Sequence, residues 1–379
     1  MTSILKFVKR NDIVLDPSRI TLARELRGLT KSDLAKALGV TTRTLQKYES
    51  EGAPLERADG LAESVGVEPE FFRLPPNQGL SVGQGFFRSL RRATAAQRNS
   101  ARAAATVGTE LYNFITERFR LPELNIPEVD SLSATQAAQT LRAAWGRGSE
   151  PLPNLVQLAE ANGVRVLSLP LKAKTVDAFS FVRDDEAYVF LSTAKTAERS
   201  RFDIAHELGH LVMHTRQAPT VDFDSVGSQM LEKQADEFAA AFLMPSESLA
   251  PRTSKDPAVP EIMELKQIFK VSAMAMTKRL HDLGKTSDWG YRQNCAELAK
   301  RGFRAGEPNG ISRERSRVFD AVFPAMRNKG NLQAEISEHL GVSLELIHQL
   351  TFAQVPVSVD GVSGTSTGHK PNLKLVHSR

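Results

Sequence analysis

Three of the eight histidines in this chain of 379 residues lie within the segment Arg201 to His214, RFDIAHELGHLVMH. His206 and His210 are four residues apart, so on a helix both imidazoles face the same side and can bind one metal ion. Glu207 follows the first histidine directly, where it can accept a proton from a water molecule that the metal activates. The alternative interpretation is a helix whose two histidines lie at the surface or are satisfied in a core.

An acidic helix is predicted downstream of the histidines. The stretch Glu232 to Pro245, EKQADEFAAAFLMP, has apolar residues at helical spacing and ends at a proline. A catalytic zinc site with two histidines needs a third protein ligand and one open position, and Glu232 suits the ligand role. Asp236 lies on the same helix face and suits a supporting partner that fixes the tautomer of a histidine ligand. The alternative is an acidic, solvated helix face that also includes Glu237.

The two motifs together, HELGHLVMH and EKQADEFAAAFLMP, resemble the ImmA/IrrE family of metallopeptidases, whose motifs are HExxH and ExxA(N/D)xFAxxLLxP. The resemblance extends over roughly residues 151–283, because VDAFSFV and AYVFLS are similar to the strands that precede the family's active-site helix. It implies that Glu207 is the catalytic base and that Asp236 is the supporting carboxylate. It also implies three metal ligands, which are His206, His210 and Glu232.

The metzincins, another class of zinc peptidases, are excluded by spacing. Their motif needs a glycine seven residues after the first histidine and a third histidine ten residues after it, where this chain has Met213 and Arg216. His214 resembles a trailing histidine common in the ImmA/IrrE family, but Glu232 fills the ligand role better. Zinc (Zn²⁺) is the expected metal, and manganese (Mn²⁺) is an alternative because it accepts similar nitrogen and oxygen donors.

Composition narrows the class of protein. The length predicts two or three domains, and 41% hydrophobic residues with a mean hydropathy of −0.28 indicate a soluble globular chain. A single cysteine, Cys295, excludes a disulfide framework and a multi-cysteine zinc finger, and is typical of a reducing compartment. The first residues, MTSILKFVKRND, contain an apolar piece too short for a signal peptide, and no stretch approaches a membrane span. We therefore expect a cytoplasmic protein.

Residues 18–74 have the pattern of several short helices. Thr30, followed three residues later by an acid, predicts a capped helix start. Gly39 predicts a tight turn into the next helix, which Thr41 or Thr42 caps. The string LTKSDLAKALGVTTRTLQKYESEGAPL resembles the XRE family of Cro-like repressors, which implies a helix-turn-helix fold.

The same resemblance implies contacts with DNA. It directs three side chains toward base edges (Thr42, Arg43 and Gln46) and two nearer phosphates (Lys31 and Lys47). Residues 1–105 contain 17 Lys and Arg against 11 Asp and Glu, while the whole chain has a net charge of +5. A basic partner surface is therefore expected mainly in the N-terminal third. The alternative is a helical interaction module that has this fold without binding DNA.

The predicted domain organisation has five parts. They are an XRE-type helix-turn-helix domain (1–76), a basic linker and helical region (77–150), an ImmA/IrrE-like metallopeptidase domain (151–290), a helical C-terminal region (291–354) and a disordered tail (355–379). The linker carries arginines but no acid between Glu70 and Glu110. Asn331 to Leu350 has a second helix–glycine–helix pattern, but no basic residue occurs between Lys329 and Lys370. Packing or partner docking is therefore favoured there over DNA contact.

The predicted fold class is mainly α with a small β-sheet: a helix-turn-helix bundle, an α+β zincin-like domain and a helical C-terminal region. The family resemblance implies a zinc-dependent endopeptidase that cleaves a regulatory protein, such as a repressor, under stress or phage induction. An extended substrate is expected to add to a strand edge near the metal helix. The alternative is a transcriptional regulator, or an antitoxin-like protein, whose peptidase fold acts as a sensor or dimerisation domain.

Overall fold

The computed structural model describes residues 14–77, 79, 85–86, 93–170, 176–215, 226–328, 330 and 332–355. Within these ranges the fold is mainly α-helical with small sheets, which confirms the predicted fold class. None of the helices in the described ranges is long and apolar enough to span a bilayer. Parts of the sequence predictions lie outside these ranges: the tail from residue 356 onward and the linker arginines Arg88, Arg91 and Arg92.

The N-terminal region contains the predicted short helices. They are α1 (Pro17–Leu26), α2 (Lys31–Ala37), α3 (Thr42–Glu51) and, after a 3-10 turn at Leu55–Arg57, α4 (Ala58–Val65). The predicted cap of α2 is confirmed, because the Thr30 hydroxyl accepts from the Asp33 N–H while the Asp33 carboxylate accepts from the Thr30 N–H. Thr41 caps α3 with its hydroxyl alone, which accepts from the Thr44 N–H. Strands β1 (Val14–Leu15) and β2 (Ala53–Pro54) pair antiparallel and join the ends of this bundle.

A four-stranded sheet separates two hydrophobic cores. Its strands are β3 (Gly85–Phe86), β4 (Arg165–Ser168), β5 (Ala178–Arg183) and β6 (Glu186–Leu191), in the order β3-β5-β6-β4. β5 and β6 form a hairpin, and β4 is parallel to β6. The hairpin turn lies at Asp184 and Asp185, whose φ angles of 51° and 61° match the twist of the strands.

Alternate residues of the sheet face different helices. Phe179, Phe181 and Phe190 belong to a core shared with the N-terminal bundle and α5 (Ala95–Thr116). Ala178 and Val189 belong to a second core on the other face. The helices of that second core include α6 (Ala134–Ala144), α7 (Leu155–Ala161), α8 (Ala197–Met213) and α9 (Val226–Leu243). Helix α8, which contains the HExxH motif, therefore packs against one face of the hairpin.

The remaining helices follow α9. They are α10 (Ser246–Leu249), α11 (Val259–Phe269), α12 (Ala273–Asp282), α13 (Asp288–Lys300), α14 (Arg317–Arg327), α15 (Leu332–Leu340) and α16 (Leu344–Leu350). The second helix–glycine–helix segment, α15–α16, packs against the N-terminal bundle, where Glu68 N–H donates to the Gly341 carbonyl at 2.9 Å. The N-terminal bundle, α5 and the last three helices thus share one core.

Candidate metal centre

Helices α8 and α9 bring three of the predicted side chains together. His206 and His210 lie on one face of α8, and their Nε2 atoms are 3.1 Å apart. Glu232 approaches from α9, with Oε2 3.5 Å from His206 Nε2 and Oε1 3.4 Å from His210 Nε2. One potential ligand atom from each residue lies within 4.8 Å of the other two. The three atoms therefore converge on a common point, as a metal site with three protein ligands requires.

The chemistry of this donor set fits a metal ion. Two imidazole nitrogens that are 3.1 Å apart repel each other if both present lone pairs. A shared proton or a bound cation removes this repulsion. Among the described residues, the buried Glu232 Oε1 has no hydrogen-bond donor at acceptable geometry, although His210 Nε2 is close. A buried carboxylate oxygen in this position is costly without a partner, and a cation bound by all three residues would supply one.

Asp236 supports His206 from the outer side. Its Oδ1 lies 2.9 Å from His206 Nδ1, so the carboxylate can accept a hydrogen bond from Nδ1–H, and the other ring nitrogen, Nε2, faces Glu232 and His210. Burial alone lowers the pKa of His206, but hydrogen bonds to Asp236 and Glu232 outweigh it and raise the pKa to about 10. For Glu232, burial opposes ionisation, yet the two histidines beside it lower its pKa overall. The geometry of Asp236 is that of the predicted supporting carboxylate.

Glu207 points to the sheet side of α8 and is buried. Its Oε2 accepts a hydrogen bond of 2.6 Å from the hydroxyl of Ser180 on β5. Burial raises the pKa of Glu207, and the neighbouring histidines oppose this shift only in part. A carboxylate that accepts a proton readily is suited to act as a base. The sequence analysis missed Ser180, although the single hydroxyl between two phenylalanines in AFSFV marks the sheet face that meets α8.

His214 lies behind His210 rather than inside the cluster. Its Nδ1 is 2.9 Å from His210 Nδ1, and its Nε2 is 3.1 Å from Oε1 of Gln234 on α9. His214 is therefore not among the three residues whose possible ligand atoms converge. Gln234 was not singled out from the sequence, because one glutamine two residues after an acid gives no signal by itself.

Tyr188 and His281 form contacts with residues outside this cluster. Tyr188 lies on the opposite sheet face from Ser180, where its ring stacks on Phe181 and its hydroxyl donates to Glu186. His281 bonds to Asp288 Oδ1 at 2.8 Å, at the junction of α12 and α13.

The predicted DNA-contacting residues lie on the surface of the N-terminal bundle. Four of them are exposed along α3: Thr42, Arg43, Gln46 and Lys47. Lys31, at the start of α2, is also exposed, and its ammonium group forms an ion pair of 3.1 Å with Glu49. Lys47 lies 3.8 Å from Glu51. The exposed face of α3 is thus open to a partner. Lys31 would have to break its ion pair with Glu49 in order to contact a phosphate.

Comparison with known protein families gives two matches along the chain. Residues 159–281 match the peptidase M78 family model, described as the IrrE N-terminal-like domain. Residues 20–72 match a helix-turn-helix family model. No curated protein matches the chain. The match at 159–281 includes both helices that form the candidate metal centre, and the match at 20–72 includes most of α1 and all of α2 to α4. The chain therefore combines an N-terminal helix-turn-helix domain with an IrrE N-terminal-like domain of the M78 peptidase family.

Proposed function

We propose that this protein is a zinc-dependent endopeptidase whose substrate is a regulatory protein such as a transcriptional repressor. The observation that carries the proposal is the convergence of His206, His210 and Glu232, with Glu207 adjacent on the same helix. A purely structural helix pair has no need of two imidazoles and a carboxylate around one point. The helix-turn-helix domain supports a regulatory role, since it can bring the peptidase to a repressor bound on DNA.

The metal would be held by His206, His210 and Glu232. When bound, Zn²⁺ (or Mn²⁺) supplies Lewis acidity that polarises the scissile carbonyl and makes water more acidic. Glu207 accepts the proton of the attacking water at its carboxylate and then donates it to the leaving amine. The hydrogen bond from Ser180 keeps the Glu207 carboxylate oriented during both transfers.

The edge of β5 suggests how a substrate reaches this site. β5 packs against α8, and its outer edge pairs antiparallel with β3, where Phe86 is opposite Ser180. β3 belongs to the linker between the two family-matched domains, so a piece of the chain itself occupies the edge where an extended peptide would add. This pairing supports a second candidate, cleavage in cis near β3, which would cut the chain between the helix-turn-helix and peptidase domains. A substrate in trans would have to replace β3.

Metal analysis joined to a cleavage assay tests the proposal. Purified protein is loaded with Zn²⁺ and mixed with repressors encoded nearby, and products are identified by mass spectrometry. We expect one stoichiometric metal and a defined cut in a repressor or in the linker. Glu207→Gln should bind the metal and lose the cut, whereas Glu237→Gln, an exposed acid on α9, should behave as the parent protein.

The alternative class is a regulator whose peptidase fold only senses a signal, forms a dimer or pairs with a toxin partner. Expression of the target genes in cells carrying Glu207→Gln separates it from the peptidase. A variant that regulates its genes fully would contradict the proposed function, because the base would then be dispensable. Loss of regulation with an intact metal content would support cleavage.

A further inference from the structure

A second line of contacts joins α8 to α9 behind the metal centre. His210 Nδ1 lies 2.9 Å from His214 Nδ1, and His214 Nε2 lies 3.1 Å from Gln234 Oε1. His214 is one turn after His210 on α8 and is only 1% exposed. Gln234 is two residues after Glu232 on α9, so the same pair of helices supplies the candidate ligands and this line of contacts.

The order of donors along this line follows from the amide oxygen. Gln234 Oε1 can only accept, so His214 must carry its proton on Nε2. A neutral His214 then has a lone pair on Nδ1, which accepts from His210 Nδ1–H. With its proton on Nδ1, His210 presents the Nε2 lone pair to His206 Nε2 and Glu232.

We infer that His214 and Gln234 form a tautomer relay, which positions His210 as a ligand through its Nε2 atom. Neither residue touches the metal, and both act through His210. The inference rests on the metal site of the proposed function but not on peptide cleavage. Rotation of the Gln234 amide would reverse every donor in the line and place a proton on His210 Nε2, where it blocks the metal.

The two candidate histidine ligands thus have partners of different chemistry. His206 is partly exposed and uses the carboxylate of Asp236, which is in contact with water. His210 is buried, and a carboxylate behind it would add a desolvated charge within reach of Glu207 and Glu232. A neutral imidazole and amide provide the same direction of hydrogen bonding without that charge.

Nitrogen NMR of the histidine rings tests the relay in the metal-free protein. We expect the proton on Nδ1 of His210 and on Nε2 of His214. Zn²⁺ affinity, measured by competition with a chelating indicator, gives the second readout. His214→Phe and Gln234→Leu should each weaken Zn²⁺ binding by about 10- to 100-fold, as loss of an outer partner of a ligand histidine does.

A conservative variant separates positioning from packing. His214→Asn can still accept from His210 Nδ1–H through its amide oxygen, so it should keep affinity within about threefold of the parent. Lys233→Ala, at an exposed site of α9, is the matched control, and circular dichroism shows which variants are folded. A proton on His210 Nε2, or parental affinity in folded His214→Phe and Gln234→Leu, would overturn the inference. A parent protein that binds no Zn²⁺ contradicts the proposed function instead, while the NMR result still decides the relay.

Discussion

Two helix–glycine–helix segments of the chain share the turn sequence Leu-Gly-Val followed by a hydroxyl residue, but they have different surroundings. ALGVTTRTLQ joins α2 to α3, and HLGVSLELIHQ joins α15 to α16. Gly39 and Gly341 both have positive φ angles, +65° and +60°. Gly39 is exposed and α3 presents Arg43 and Lys47 outward, whereas Gly341 is buried against Phe71.

The difference shows that the turn motif specifies a local backbone geometry but does not specify whether the segment binds a partner. The N-terminal segment has exposed cationic residues on its second helix, and a DNA-binding surface needs such residues. The C-terminal segment lacks basic residues, and its turn is packed against the N-terminal bundle. One segment is available to a partner, and the other braces the fold.

Alanine at the two glycines should give the largest contrast. A left-handed residue with a Cβ costs about 1–2 kcal/mol, which is the whole loss expected for Gly39→Ala, since no atom lies within 4 Å of the added carbon. At Gly341 the added carbon would be 2.4 Å from Phe71 Cα, so the overpacking adds about 1–3 kcal/mol. Urea unfolding of both variants measures the difference. Equal losses would show that the α15–α16 turn is not held against the bundle.

Two acids that cap helices, Asp33 in the N-terminal bundle and Glu160 outside it, should change the stability of the fold with pH in opposite directions. Glu160 on α7 accepts from the Ser316 hydroxyl and from N–H groups at the start of α14, and burial raises its pKa from 4.5 to about 7. The pKa of Glu160 is therefore higher in the folded than in the unfolded protein. Its contribution to the unfolding free energy is complete below pH 4.5 and is lost as the pH rises through 7.

The loss at Glu160 is on the order of 3 kcal/mol at most. Glu160→Gln should therefore flatten the dependence of the unfolding free energy on pH between 4.5 and 7. Asp33, which caps α2, has a lowered pKa because Thr30 donates to it, so its stabilisation is present above pH 3.8 and is lost in acid. Asp33→Asn should leave the range from 4.5 to 7 unchanged. An identical slope in Glu160→Gln and the parent protein would contradict the assignment.

Removal of cations from α3 should weaken DNA binding more than any change in α16. Arg43→Ala is expected to cost about 1–3 kcal/mol at a specific site, and Lys47→Ala should reduce the salt slope of the binding constant by about one. Fluorescence anisotropy with a labelled duplex measures both. Glu345→Gln, at an exposed position of α16, is the control and should leave affinity unchanged. Equal affinity in all three variants would favour the alternative of a module that does not bind DNA.

Lys31 should give the smallest effect. Its ion pair with Glu49 is partly exposed, so Lys31→Met should change the unfolding free energy by less than about 1 kcal/mol. If the lysine exchanges Glu49 for a phosphate when DNA binds, the same variant should lower the salt slope by about one. A normal slope would indicate that Lys31 remains paired with Glu49 and that phosphate contacts come from α3.

Much of the candidate metal centre could be predicted because its signals are local. The spacing of His206 and His210 fixes their common helix face, and Pro245 ends the helix that carries Glu232. Ser180 and Gln234 could not be assigned, since their roles depend on which strand and which helix meet α8. Strand alternation likewise decides which side chains face α8, because Tyr188 lies on the opposite face of the sheet from Ser180.

The sequence by itself determined the helix caps, the hairpin turn, the pairing of histidines on one face and the two domain resemblances, because these depend on residues a few positions apart. Only the tertiary structure decided that the two glycine turns differ in exposure, that β3 covers the edge of β5, and that Gln234 reaches His214. The physical reason is that burial and hydrogen-bond partners are set by residues distant in sequence. Local spacing cannot specify which of several similar surfaces the packed chain leaves open.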